Sequence, residues 1–307
     1  MSVTVDPKKK VTVELIRDLA DAKVDIVFVH GLQNDAWKAD NGICWPETLL
    51  PAKAPNARIL SLKYPVDSVF FNGEGNLLRT SSRLINKLTD LREDEQSKSR
   101  PVIFVAHCLG GMVLENALVN ASKDDEQKAL IPCVRGVLLL GSPHFEAEAE
   151  GLKAVKNYYR YFRGTDASIP NDDDLREELQ HLATIPQAFK TLQTSSETKF
   201  EVKSFYASEG DVIVGKTLAK WSEKSSPQSL GRSHLQLSQY EDESDDDLED
   251  VLRILTRWLS QIEQASGSKE QTGSGDVSNA TFSGSHNSGM QLGQNTGNST
   301  FSWGNGK

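Results

Sequence analysis

The sequence predicts an α/β domain built on a mostly parallel central sheet flanked by helices, followed by a disordered tail. Strand-like and helix-like segments alternate through residues 1–264, which is the pattern of helices that connect parallel strands. Residues 265–307 contain nine Gly, nine Ser and five Asn but only eight hydrophobic residues. Such a segment buries too little apolar surface to offset the entropy of ordering. We therefore expect one domain over residues 1–264 and a tail over residues 265–307.

Five strands are predicted from short runs of β-branched, aromatic and other apolar residues. The clearest is Val24–Val29, a nearly continuous apolar run of the kind found in strands that are buried on both faces. The predicted strands cover residues 24–29, 58–62, 102–106, 134–140 and 200–206.

Helices are predicted between and after these strands from apolar residues spaced three or four apart. They cover residues 77–91, a segment that begins after Gly111, and residues 248–262, whose apolar residues share one face. Residues from about 145 to 198 are mostly polar with a helical pattern. We expect this long insertion between the last two strands to form a helical cap.

Charge and composition exclude several classes of protein. The net charge of -9 argues against a general nucleic-acid binder, which would carry a basic patch. The absence of a long apolar run and of a signal-peptide pattern predicts neither a membrane span nor secretion. Cys44, Cys108 and Cys133 have no framework spacing, so we expect reduced thiols and a cytoplasmic protein. No metal site is expected, because the acidic run 241–250 does not have the spacing of a calcium loop.

The segment VIFVAHCLGG, residues 102–111, predicts a nucleophile on a sharp strand-to-helix turn. Such a turn needs small residues two before and two after the nucleophile, because the backbone closes tightly there. Ala106 and Gly110 supply them around Cys108. The start of the following helix also favours a thiolate through its partial positive charge. The alternative is that Cys108 is a buried structural thiol, since cysteine is often buried.

A nucleophile of this kind needs an acid and then a histidine later in the chain. His234 lies in a loop just before the final helix and is the predicted base; the alternative is an ordinary surface histidine. Asp211 follows the strand at 200–206 and is the predicted acid, which would orient the imidazole and stabilise its charged form. Glu209 is the alternative acid.

An oxyanion hole requires two backbone N–H groups beside the nucleophile. One would come from Leu109, the residue after Cys108, and the other from the loop after the first predicted strand, where Leu32 is the candidate.

These residues resemble the α/β-hydrolase superfamily, and in particular the fungal lipase- or esterase-like domains related to SesB. The resemblance extends from about Val24 to Leu259 through the sequences IVFVHGL, ARIL, FVAHCLGG, LLLGSPH and SFY and a late histidine. It implies hydrolysis of a carboxylic ester, including lipids, without a cofactor. The family turn commonly reads G-H-S-x-G-G, from which Ala106 and Cys108 depart. Two hypotheses follow: a Cys-His-Asp hydrolase, and a catalytically inactive scaffold.

The tail contains a pseudo-palindrome, N-S-G-M-Q-L-G-Q-N-T-G, over residues 287–297. Asn, Gln and Gly alternate with other residues at period two, so that stacked copies could form amide ladders. The six alternating positions are Asn287, Gly289, Gln291, Gly293, Asn295 and Gly297. Within residues 281–303, this segment resembles the amyloid signalling motif of fungal NOD-like receptor systems, with a core similar to the RHIM motif. A flexible linker is the alternative.

Together the two resemblances imply a cytoplasmic effector of fungal programmed cell death or allorecognition. The implied partners are a NOD-like receptor with a matching amyloid motif, further copies of the same tail, and a lipid or other ester substrate. In this hypothesis the receptor templates the tail and thereby activates the hydrolase. In the alternative hypothesis only the assembly of the tail carries the signal.

Overall fold

The computed structural model describes residues 11–33, 36–65, 76–163, 170–195, 200–210 and 213–273. The predicted acid Asp211 and all six positions of the tail motif lie outside these ranges.

The core of the domain is a seven-stranded sheet in the order β1-β3-β2-β4-β5-β6-β7. All neighbouring strands are parallel except β1 and β3, which are antiparallel. The strands are β1 Thr12–Arg17, β2 Val24–Val29, β3 Ala57–Lys63, β4 Val102–His107, β5 Val134–Leu140, β6 Glu201–Ala207 and β7 Gln228–Leu230. The prediction of a mostly parallel α/β sheet is confirmed, and the five predicted strands match β2 to β6 within one residue.

Helices cover both faces of the sheet. They are α1 Trp45–Thr48, α2 Leu50–Lys53, α3 Asn76–Asp90, α4 Glu95–Lys98, α5 Gly110–Ala121, α6 Ala149–Arg163, α7 Asp172–Thr194 and α8 Asp246–Gly273. Side chains alternate between the two faces of a strand, so each strand contributes side chains to the hydrophobic cores on both faces of the sheet. Val27 and Val29 of β2 pack in the core that contains α3, α5 and α7. Ile26 and Phe28 pack in the other core, with α1, α2 and α8.

Three features differ from the sequence prediction. The edge strand β1 and the three-residue β7 were not predicted, because neither has a continuous apolar run. The insertion forms two helices that both bury side chains in the same core as α5: α6 buries Leu152 and Val155 there, and α7 buries Leu175, Leu179 and Phe189. Helix α8 continues to Gly273, past the predicted end at Ile262, through Lys, Glu and Gln residues that favour helix.

Because β2 and β4 to β7 are parallel, their carboxyl ends meet at one edge of the sheet. In open α/β sheets this edge is where ligands bind. The loops that follow these five strands therefore lie at the same edge, and they contain Leu32, Cys108, Gly141, Gly210 and His234.

A buried ionic cluster lies at the opposite edge of the sheet. Asp25, near the start of β2, is fully buried and accepts hydrogen bonds from the guanidinium groups of Arg58, Arg92 and Arg100. Arg58 binds it through two nitrogens, at 2.8 and 2.9 Å. The cluster ties the starts of β2, β3 and β4 together.

Candidate active site

The turn after β4 has the backbone of a nucleophile elbow. Cys108 has a φ of 59°, and among the described residues it is the non-glycine residue with positive φ. A side chain other than Asn, Asp or His rarely adopts this conformation unless the surrounding structure enforces it. The Cys108 N–H donates to the carbonyl oxygen of Leu140, at 2.9 Å, which anchors the turn to the end of β5.

Two glycines make this tight turn possible. A Cβ atom on Gly31 would lie 2.4 Å from Cβ of Cys108, and one on Gly110 would lie 2.4 Å from the carbonyl oxygen of His30. Any larger residue at either position would therefore collide with the elbow or with the loop after β2. This steric clash explains why the sequence pattern requires a small residue two positions after the nucleophile.

The structure brings the two predicted oxyanion-hole residues to the cysteine. The backbone N–H groups of Leu32 and Leu109 lie near Sγ of Cys108, where they act to lower the pKa of its thiol. They come from different loops, one after β2 and one after β4. A carbonyl oxygen bound beside Sγ would meet the same pair of donors.

The Cys108 thiol is enclosed. The residue is 1% exposed, and its Sγ lies 2.5 Å from the hydroxyl of Tyr158 on α6. Burial raises the pKa of the Cys108 thiol, and the hydrogen bonds from Tyr158, Leu32 and Leu109 offset this only in part. In this conformation the group is therefore a neutral thiol at neutral pH.

His234 lies at the same edge, directly before a short 3-10 turn, and is fully buried. Burial, and next the neighbouring His107, lowers the pKa of His234 to about 3. Its ring lies 6.3 Å from the Tyr158 ring and 6.0 Å from the Phe162 ring, measured between centroids. Neither ring nitrogen has a hydrogen-bond partner in the described part of the chain. Cys108 and His234 thus share Tyr158 as a neighbour without being hydrogen-bonded to each other.

The loop that carries His234 is held by an ion-pair network. Arg232 donates to Asp245 at 2.7 Å and to Asp247 at 2.8 Å, and its guanidinium lies 4.5 Å from the centre of the Tyr240 ring. These carboxylates belong to the acidic run that precedes and begins α8. Part of that run therefore fixes the position of the histidine loop.

The acid of the predicted triad is not placed. Asp211 lies outside the described residues. The loop leading to it runs beside the histidine loop: the Glu209 N–H donates to the carbonyl of Arg232 at 3.3 Å, and a Cβ on Gly210 would lie 3.0 Å from Cβ of Ser233. The alternative acid, Glu209, does not bind the imidazole here, because both nitrogens of His234 lack a partner among the residues described.

Three residues of the site were missed by the sequence analysis. Tyr158 contacts the sulfur but lies in the insertion, where no motif marks it. His107 is buried and donates from Nε2 to the carbonyl of His234, at 3.0 Å; burial lowers its pKa to about 4. Tyr64 stacks on His30, with 4.3 Å between ring centroids, and its hydroxyl donates to the His30 carbonyl. The histidine before the nucleophile in the family pattern was the available signal for His107.

In the ranges that the structure covers, no group of three or more His, Cys, Asp or Glu side chains is arranged to hold a metal ion. Over the same ranges, no helix combines the length and apolar character needed to cross a bilayer.

Comparison with known proteins gives one family match and several partial relatives. The model of the "SesB domain on fungal death-pathway protein" matches residues 275–300. Protein SERAC1 of Danio rerio is 33% identical over 148 residues, which cover 40% of this chain and 22% of that protein. Protein SERAC1 of Bos taurus is 25% identical over 207 residues, which cover 60% of this chain and 30% of that protein. The chain thus spans less than a third of the length of these curated relatives.

Comparison with solved structures finds a carboxylesterase and a thioesterase domain among the similar chains. A carboxylesterase of Nitrososphaera gargenis is 14% identical with a TM-score of 0.47, covering 85% of this chain and 98% of that chain. The NocB thioesterase domain from the nocardicin cluster is 16% identical with a TM-score of 0.41, covering 82% and 99%. The sheet order, the helices on both of its faces and the elbow at Cys108 give this chain an α/β-hydrolase fold, with a SesB match in its tail.

Proposed function

We propose that this protein is a hydrolase-fold effector in which Cys108 attacks a carboxylic ester. The observation that carries the proposal is a cysteine held at positive φ on the strand-to-helix elbow, with the N–H groups of Leu32 and Leu109 near its sulfur. This arrangement presents a nucleophile and two oxyanion donors to the same reacting atom. A structural thiol needs neither the strained backbone nor the paired donors.

In the proposed mechanism His234 removes the proton from Cys108 and the thiolate adds to the ester carbonyl. The negative charge on the carbonyl oxygen is held by the N–H groups of Leu32 and Leu109. The C–O bond then breaks, and the alcohol leaves with the proton from His234, which gives a thioester on Cys108. Water, deprotonated by His234, hydrolyses the thioester and restores the thiol. Asp211 would orient the imidazole.

The first test measures hydrolysis of a chromogenic short-chain ester by the full chain. Cys108→Ala should lower kcat by about a thousandfold or more, because it removes the nucleophile. Cys108→Ser should retain or raise activity, since serine is the usual residue of the family turn. Cys44→Ala, at a half-buried thiol in another loop, is the matched control and should behave as wild type. Equal traces of activity in the wild type and Cys108→Ala would contradict the proposal.

We further propose that the tail assembles with copies of itself and with a NOD-like receptor that carries a matching amyloid motif, in fungal cell death in the cytoplasm. Support comes from the position of the SesB match, residues 275–300, which overlaps the pseudo-palindrome at 287–297. The tail also carries no net charge, so like-charge repulsion does not oppose stacking: Lys269 and Lys307 balance Glu270 and Asp276.

The second test follows thioflavin fluorescence of the full chain at high concentration. Gln291→Ala should slow fibril formation strongly, because the amide ladder at the centre of the motif is lost. Gln294→Ala removes the same side chain three residues away, outside the six alternating positions, and should have a smaller effect. Equal effects of the two substitutions, or a wild-type chain that stays soluble, would contradict the assembly role.

A catalytically inactive scaffold is the second candidate. The observation that favours it is the closed site, in which the thiol and the imidazole are both neutral and not hydrogen-bonded to each other. The two tests separate the candidates. A scaffold would form fibrils but hydrolyse no more ester than Cys108→Ala does, whereas an enzyme would lose ester hydrolysis in Cys108→Ala.

A further inference from the structure

We propose that helix α6 holds the site shut, with the hydroxyl of Tyr158 in the position that the substrate oxyanion would occupy. The proposal deepens the function proposed above and rests on Cys108 being the reactive group. Three observations carry it: what the hydroxyl binds, how completely the site is enclosed, and how α6 is attached to the domain.

The hydroxyl of Tyr158 makes the contacts expected of an oxyanion. Its oxygen lies 2.5 Å from Sγ of Cys108, beside the backbone N–H of Leu109. A substrate carbonyl oxygen needs the same place, next to the nucleophile and within reach of the same donor. Since two oxygen atoms cannot occupy one position, the ester can bind productively only after Tyr158 has left.

The ring of Tyr158 blocks the approach as well. Cys108 is 1% exposed, and Tyr158 and His234 are fully buried. Tyr158 packs edge-on against Phe145, at 5.9 Å between ring centroids, and against Phe162 at 4.7 Å. The same ring faces His234 edge-on at 6.3 Å. The Tyr158 side chain thus covers the sulfur of Cys108. It also packs on the imidazole of His234, which the proposed mechanism requires next to that sulfur.

Helix α6 packs chiefly on α7, whereas α7 packs chiefly on α5 in the main helical layer. Four α6 side chains are buried, namely Leu152, Val155, Tyr158 and Tyr159, and the first three join the core that contains α5 and α7. An element at the margin of a core can open locally while the rest of the domain stays folded. Displacement of α6 would uncover Cys108 and His234 and leave the sheet and its flanking helices in place.

The test measures alkylation of individual cysteines by iodoacetamide in the native full chain, read by peptide mass spectrometry. Tyr158→Ala should raise the labelling rate of Cys108 about tenfold or more, because the thiol becomes accessible and is no longer buried. Tyr158→Leu is the second variant. It keeps apolar volume against Phe145 and Phe162 but cannot reach the sulfur, and we expect a similar increase.

Internal controls come from the other thiols and from the adjacent tyrosine. Cys133 is buried in the same core and should keep its low rate, while the half-buried Cys44 reports equal reagent activity. Tyr159 is also buried but is turned about 100° around α6 from Tyr158, so Tyr159→Ala should leave the labelling rate of Cys108 low.

A labelling rate of Cys108 in both Tyr158 variants equal to that in the wild type overturns the proposal. Equal acceleration of Cys108 and Cys133 overturns it too, because that outcome means general loosening of the domain.

Labelling does not depend on hydrolysis, so the two proposals can fail separately. If Cys108 labels faster in the Tyr158 variants while no variant hydrolyses ester, the enzyme proposal fails and the closed-site proposal stands. If the wild type and both variants hydrolyse ester with the same kcat/KM and label equally, the closed-site proposal fails and the enzyme proposal stands.

Discussion

At the scale of single residues, two buried imidazoles set how the domain responds to acid. Burial lowers the pKa of His107 to about 4 and that of His234 to about 3, so both are neutral in the folded state at pH 7. In the unfolded chain they titrate near their ordinary pKa of about 6.5. Between these values the unfolded state binds more protons, so stability is full above pH ~6.5 and falls as the pH decreases towards 4. At pH 5 each of these histidines therefore lowers the free energy of unfolding by about 2 kcal/mol.

The measurement is the free energy of unfolding in urea at pH 7 and at pH 5. His107→Gln removes one titrating group but keeps an N–H donor for the carbonyl of His234. We expect this variant to lose about 2 kcal/mol less than the wild type between the two pH values. His181→Gln, at an exposed position on α7, is the matched control and should show the wild-type loss. The same pH dependence in all three proteins would show that His107 does not titrate in this range.

Also at this scale, sequence analysis identified site residues whose positions follow from the local backbone, but it missed residues whose positions follow from tertiary packing. The positions of Cys108, Leu32 and Leu109 at the carboxyl edge could be predicted because a strand-to-helix elbow needs small residues at fixed spacing. Tyr158 could not, since its contact with the sulfur depends on how α6 lies on the carboxyl edge. For the same reason, the sequence could not show that Cys108 and His234 are not hydrogen-bonded to each other in the described site.

At the scale of secondary-structure elements, the strands were easier to predict than the insertion. Strands β2, β4 and β5 are buried on both faces and read as continuous apolar runs, which is a local signal. The residues of α6 and α7 share a polar, helical pattern, and both helices bury side chains in the same core, yet it is α6 that contacts the reactive cysteine, through Tyr158. Periodicity shows which face of a helix is apolar, but not what that face covers.

At the scale of the whole molecule, the buried ionic cluster that stabilises the domain and the reactive site lie at opposite ends of the strands. Asp25 and its three arginines lie near the starts of the strands, and Asp25 is about 13 Å from the carboxyl end of β2. The charges are buried, so the arginines depend on the single carboxylate. The sequence analysis gave Asp25 no role, because one acidic residue inside an apolar run says nothing about partners that are distant in the sequence.

Asp25→Asn should destabilise the whole domain by about 3–5 kcal/mol, because three buried guanidinium groups lose their counter-charge. For a domain of this size that corresponds to a fall in Tm of about 10 °C in a thermal melt. Asp90→Asn is the matched control: this exposed carboxylate on α3 pairs with the exposed Lys87, at 3.3 Å, and its loss should cost less than about 1 kcal/mol. Well below Tm, the alkylation rate of Cys108 in Asp25→Asn should equal that of the wild type, since the elbow and α6 do not contact the cluster. A fall in Tm for Asp25→Asn no larger than that for Asp90→Asn would contradict the stabilising role of the cluster. Rapid labelling of Cys108 in folded Asp25→Asn would contradict its independence from the reactive site.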